Sequence, residues 1–198
     1  MGAFFQSLGR TIVAGLVILA VIIVAASAIW GGGAKMGDHA WFAFIMRWLH
    51  VLSGIMWIGI LWYFNFVQIP SMPKIPDDQK PAIGKVIAPA ALFWFRWAAL
   101  ATVVTGILLA TMNGYIGLAL TFTKPFTAIG LGMWLALVMA FNVWFIIWPN
   151  QKKALGIVVV EAAEKAAAAR LAMLTSRANT MLSIPMLYCM VAQQNGGL

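Results

Sequence analysis

Trp41 to Pro70 reads WFAFIMRWLHVLSGIMWIGILWYFNFVQIP, an apolar run long enough to cross a bilayer that carries a histidine, His50, in its interior. At about 100° per residue, Met46, Arg47, His50, Ser53, Gly54, Trp57 and Leu61 fall on one helix face, which holds most of the helix's polar atoms. A side chain able to bind a metal thus shares a face with a cation and with small residues. Ser53 and Gly54 are expected to leave a hollow for a flat ligand, with Trp57 as its wall and Arg47 one turn away to meet a carboxylate. A haem with two propionates suits such a face, with His50 as the metal ligand and Arg47, Gly54 and Trp57 around it. The plainer reading is that His50 hydrogen-bonds to a neighbouring helix and Arg47 reaches to the headgroups. Ionisable groups inside a span are costly enough that a functional role is the default expectation.

Composition extends the membrane reading to the whole chain. Of the 198 residues, 63% are hydrophobic and 9% charged, and the mean hydropathy is +0.93, values that exclude a soluble domain. The expected fold is an all-α integral membrane protein, a single helical domain over residues 1–198 with about five transmembrane helices at 11–30, 41–69, 86–111, 126–148 and 171–192. The net charge of +8 is scattered over loops, not gathered in one block, which argues for a lipid bilayer and against nucleic acid. Arg10, Lys74, Lys80, Lys85, Lys152, Lys153, Lys165, Arg170 and Arg177 fall on one side if the spans alternate, with Lys35 and Lys124 opposite. The N-terminus is then expected in the cytoplasm and the C-terminus outside, in the inner membrane of a bacterium. The lone cysteine, Cys189, allows no intrachain disulfide and no covalent haem attachment through a pair of cysteines.

Thr11 to Trp30 has the marks of a leader, but its length is that of a signal-anchor helix. Asp38 is placed to cap the second helix, and His39, about 16 Å from His50 along one helix, cannot be its partner ligand on one haem. Pro70, Pro73, Pro76 and Pro81 are expected to stop that helix and hold residues 69–85 extended, with Asp77 and Asp78 solvated. Arg96 lies too deep in the third span to be flanking charge and requires a propionate, another anion or a tryptophan face. The fourth span carries Asn142 and is expected to stop at Trp148–Pro149–Asn150. Glu161 and Lys165 are spaced as a surface pair on a helix that leads into the weak fifth span, where Pro185 is expected to kink the chain. Met133, Met186 and Met190 are candidate sixth ligands by depth alone.

RWLHVLSGIMWIGILWYFNFVQIP, NVWFIIWPNQ and SRANTMLSIPMLY together resemble the membrane domain of the cytochrome-linked urate hydroxylases, the membrane-bound urate oxidases, over most of Arg47 to Met190. The pattern His50, Gly54, Trp57, Gly59 is also similar to the first helix of other small haem-b membrane proteins, including quinone-linked protoporphyrinogen oxidases. The resemblance implies that His50 is the haem or redox-site histidine. Urate hydroxylases carry a C-terminal cytochrome c domain that this sequence does not, which implies a separate cytochrome c or a larger membrane complex as electron acceptor. Three functions therefore stand at this point: a b-type haem redox or electron-transfer protein, a non-catalytic accessory subunit of a larger membrane complex, and a transporter. The last lacks paired carboxylates in its spans.

Overall fold

Long apolar runs in a bilayer must satisfy their own backbone polar groups, and an open chain does so only as helix. The computed structural model, which describes residues 5–30 and 37–197, contains helices and turns and no strand among the described residues. The chain divides into two units, Met1–Phe42 and Ala43–Leu198. The first holds α1, Leu8–Trp30, which is long and apolar enough to cross a membrane. Its last described turn is a helix cap: Asp38 Oδ1 accepts the backbone N–H of Trp41 at 2.8 Å, so Asp38 plays the expected role at the start of α2, His39–Trp62. Lys35 and the rest of the glycine-rich loop at 31–36 lie outside the described residues.

The second unit contains the remainder of α2, then α3 (Ala88–Met112), α4 (Ile116–Leu120), α5 (Thr127–Phe141), α6 (Trp148–Ala154) and α7 (Ala162–Asn195). With its extensions α2 runs on from His39 to Lys74, α3 begins at Lys80, and α5 continues through α6 to Ala154, giving stretches of 36, 33 and 28 residues. Together with α1 these are four helices long and apolar enough to cross a membrane. The protein is an all-α membrane protein, and its fifth long helix, α7, stands apart from those four in being less apolar.

The expected helix ends were too early, and the reason is specific. Pro70, Pro89 and Pro149 each follow by two residues the end of a π-helical turn, at Tyr63–Gln68, Ile83–Ile87 and Asn142–Ile147 respectively. A proline ring collides with the carbonyl four residues back, and in all three cases that carbonyl lies inside the widened turn, where the chain can absorb the collision. Helix therefore continues past Pro70 and Pro149 instead of stopping. The segment from residue 69 to 85 is a tight connection, not an extended one: Met72–Lys74 is a 3₁₀ turn, Ile75 is extended at its end, and Lys80–Ala82 restarts the helix. Helix α7 runs without a break across Pro185. Glu161 precedes its first turn, and the ion pair that forms is Lys153 with Glu164 at 2.7 Å, not Glu161 with Lys165.

The core forms where α2, α3, α5 and α7 meet, around Trp57, Leu61, Phe95, Met139, Val143 and Met186. Small residues set the closest approaches. A methyl group at Gly130 would fall 2.1 Å from the carbonyl oxygen of Ala119, so only glycine allows α4 to lie against α5. At Gly132 the same position is filled by Cβ of Cys189 and the thioether of Met190, which brings α7 onto α5.

Candidate functional site

His50 faces α3. Its Nδ1 lies 2.8 Å from the backbone carbonyl oxygen of Thr102. A carbonyl can only accept, so the proton sits on Nδ1 and the Nε2 lone pair is left without a partner among the described residues. The Thr105 hydroxyl is 3.4 Å from the same nitrogen but also donates to the carbonyl of Ala101 at 2.6 Å, which leaves Thr102 as the principal partner. The ring rests where a side chain is missing: a methyl group at Gly106 would stand 2.8 Å from Cε1 and 3.0 Å from Nδ1 of His50. Thr102, Thr105 and Gly106 were not singled out by the sequence. Their spacing, i, i+3 and i+4 on one helix face, was the available sign of a close crossing.

The neighbours expected around His50 divide between two roles. Ser53 and Gly54 are half-buried, and the methyl of Thr102 is 3.9 Å from where a Gly54 Cβ would be, so this side of the expected hollow is occupied by α3. Trp57 is 0% exposed and belongs to the core, with its Nε1 unpartnered. Arg47 has no carboxylate partner among the described residues and is near enough to act on the phenol of Tyr115, in the turn after α3. Tyr115 is stacked on Phe126 with ring centres 5.0 Å apart. Burial pushes the Tyr115 phenol above its ordinary value, and the Arg47 charge pulls the other way.

Arg96 sits six residues before Thr102 on α3, about 9 Å back along the helix. Its guanidinium lies 3.4 Å from the centre of the Trp148 ring, so of the expected partners the structure supplies the tryptophan face. Asp77 pairs with Lys80, and that bond holds its carboxyl below the usual carboxylate range.

A second polar concentration lies on α7, where Ser176, Asn179 and Ser183 are buried on one face. Asn179 is bonded at both ends of its amide: Oδ1 accepts from Asn142 Nδ2 at 2.8 Å, and Nδ2 donates to the Met139 carbonyl at 2.9 Å. Asn65 Nδ2 donates to Ser176 Oγ at 2.8 Å, and Trp62 Nε1 donates to Ser183 Oγ at 3.0 Å. Asn65 lies inside one π-helical turn and Asn142 opens another. The widened turns thus carry the amides that α7 is fastened to.

No group of three or more metal-binding histidine, cysteine or carboxylate side chains occurs among the described residues, so a metal here would have to arrive with other ligands of its own, as iron does in haem. His50 fits that requirement, since its outer nitrogen is free and its inner one is fixed by a carbonyl.

No curated protein and no solved structure matches the chain significantly. The family model described as urate oxidase N-terminal matches residues 116–196, which hold α4 to α7 and therefore Asn142, Trp148, Asn179 and Ser183, while His50, Arg47 and Arg96 precede the matched stretch. Over residues 116–196 the chain is therefore similar to the urate oxidase N-terminal family.

Proposed function

We propose that the protein is a membrane-embedded redox protein that holds a b-type haem through Nε2 of His50 and passes electrons to a separate cytochrome or partner complex. The single observation that carries this reading is the bond from His50 Nδ1 to the Thr102 carbonyl. Iron-ligating histidines commonly have the second nitrogen fixed in this way, which sets the tautomer and the ring orientation and makes the ligating nitrogen more basic. When bound, the haem would supply one-electron chemistry at a potential set by its axial ligands, hydrogen bonds and nearby charge. His50 would hold the iron, and Gly106 gives its ring the room to lie against α3. Arg47, one helical turn from His50 and without an acidic partner among the described residues, would place a positive charge beside a propionate. Tyr115 and Phe126 stand near that end of the site. The likeness of residues 116–196 to the urate oxidase N-terminal family favours an oxidoreductase related to urate oxidation, in the inner membrane of a bacterium, as the setting.

The test is the reduced-minus-oxidised spectrum of the purified full chain. Wild-type protein is expected to carry a haem-b band, His50→Ala to lose it, and Arg47→Gln to keep it at a lower potential, because a lost positive charge disfavours the extra electron. A wild-type protein with no tetrapyrrole would sink the proposal. The exposed aromatic ridge of Phe93, Trp94 and Trp97 on α3 would then favour the accessory-subunit reading, with that ridge as its packing surface.

A further inference from the structure

Trp148 begins α6, where the apolar sequence gives way to Pro149, Asn150, Gln151, Lys152 and Lys153, the composition of a membrane–water boundary. Two cations converge on its ring. Arg96 Cζ is 3.4 Å from the ring centre and Lys152 Nζ is 5.7 Å from it, which keeps the two charges within about 9 Å of each other, close to one Debye length in physiological salt. The ion pairs among the described residues are Lys80 with Asp77 and Lys153 with Glu164. Lys153 is therefore neutralised while Lys152, next to it, is not, and Arg96 has neither a carboxylate nor a hydrogen-bond acceptor among the described residues. A guanidinium stacked on a ring spends its face and leaves its N–H donors, which lie in its own plane, pointing outward. A planar fork of donors and an ammonium group thus meet at one aromatic side chain without an anion between them.

We propose that Arg96, Trp148 and Lys152 form a phosphate-binding site at the membrane boundary. A tetrahedral oxyanion has enough oxygens to take the edge of the Arg96 fork and the Lys152 ammonium together, and it would relieve their mutual repulsion. The phosphate belongs either to the headgroup of an anionic phospholipid or to a free phosphate ion. The site is independent of His50 and of any haem, because it uses none of the same residues.

The experiment uses the full chain in nanodiscs of phosphatidylcholine, with or without phosphatidylglycerol, and counts retained lipid by native mass spectrometry. Wild-type protein is expected to prefer phosphatidylglycerol by about tenfold, and both Arg96→Gln and Lys152→Gln to lose that preference. Circular dichroism checks that each variant is folded; Lys152 is partly exposed, so that variant carries the test alone if Arg96→Gln does not fold. A wild type with no lipid preference, but with an unfolding temperature raised by inorganic phosphate in wild type and not in Lys152→Gln, would identify free phosphate as the ligand. If neither ligand is distinguished, or if the preference survives in the folded variants, Arg96 is stacked on Trp148 as a packing contact only and the proposal is overturned.

Discussion

The His50 ring occupies the space that a side chain at Gly106 would need: a methyl there would come within 2.8 Å of Cε1 and 3.0 Å of Nδ1. Gly106→Ala must therefore push the imidazole off the Thr102 carbonyl, at the cost of roughly 1–3 kcal/mol usual for overpacking. If His50 ligates haem, this variant is expected to lose most of the Soret absorbance per mole of protein. Gly54→Ala is the matched control, since its nearest contact would be an ordinary 3.9 Å to the Thr102 methyl. Equal haem content in the two variants would mean that the Thr102 bond does not orient the ligand.

Asn179 is fully buried and fastens α7 to α5 through Met139 and to the π-helical turn through Asn142. Asn179→Ala strands the Asn142 side-chain amide and removes the second bond to the Met139 carbonyl, which keeps the backbone N–H of Asn142. Leaving buried groups unpaired costs about 1–3 kcal/mol in protein interiors, but hydrogen bonds between membrane helices average nearer 0.6 kcal/mol, so a loss of about 1–2 kcal/mol is expected. Ser183→Ala removes the acceptor for Trp62 Nε1 and the hydroxyl's own local bond to the Thr180 carbonyl, and should cost about 0.5 kcal/mol. Unfolding titrations in mixed micelles rank the two. A Ser183→Ala loss as large as that of Asn179→Ala would show that the Asn142–Asn179 pair is not the main tie.

What was legible in the sequence, and what was not, follows the range of the interactions. The apolar runs were readable because hydropathy is local, and His50 stood out because an ionisable side chain inside a span is rare and costly. Helix ends at Pro70 and Pro149 were misread because the prolines sit just beyond π-helical turns, which no short pattern announces. Thr102 as the partner of His50, and Trp148 as the partner of Arg96, are choices between helices; composition limits them to small, polar or aromatic residues without selecting one. Helix α7 looked weak as a span because its polar residues were weighed as if they faced lipid, whereas Ser176, Asn179 and Ser183 face protein.

Tyr115 links the Arg47 end of this site to pH. Its phenol is raised above the ordinary value by burial, so the folded protein favours the neutral form. The corresponding stability is fully present below the unfolded phenol value of about 10 and is lost as pH rises through the folded value. Phenolate absorbance should therefore include a late component that Tyr115→Phe removes. Arg47→Gln should move that component later still, because the nearby positive charge that favours phenolate is gone. An unchanged titration curve in Arg47→Gln would place the Arg47 charge away from Tyr115.

Helix α7 decides the topology. Its 34 residues are about 50 Å of helix, more than a bilayer requires, yet it is not one of the four helices apolar enough to be recognised as spans. Its buried face presents Ser176, Asn179 and Ser183 to hydrogen-bond partners, so those polar groups need not be solvated by lipid or water. Beyond the exposed Arg177 its outward face presents Met181, Ile184, Tyr188 and Val191, which are suited to lipid. On this argument α7 is expected to cross the membrane with its polar side turned inward, which predicts five crossings with the N-terminus in the cytoplasm and the C-terminus outside. Alkaline phosphatase fused after Asn195 should be active, as should a fusion after Lys124, while a fusion after Lys153 should be inactive. An inactive fusion after Asn195 beside an active one after Lys124 would mean that α7 lies on the cytoplasmic side against the other helices without crossing.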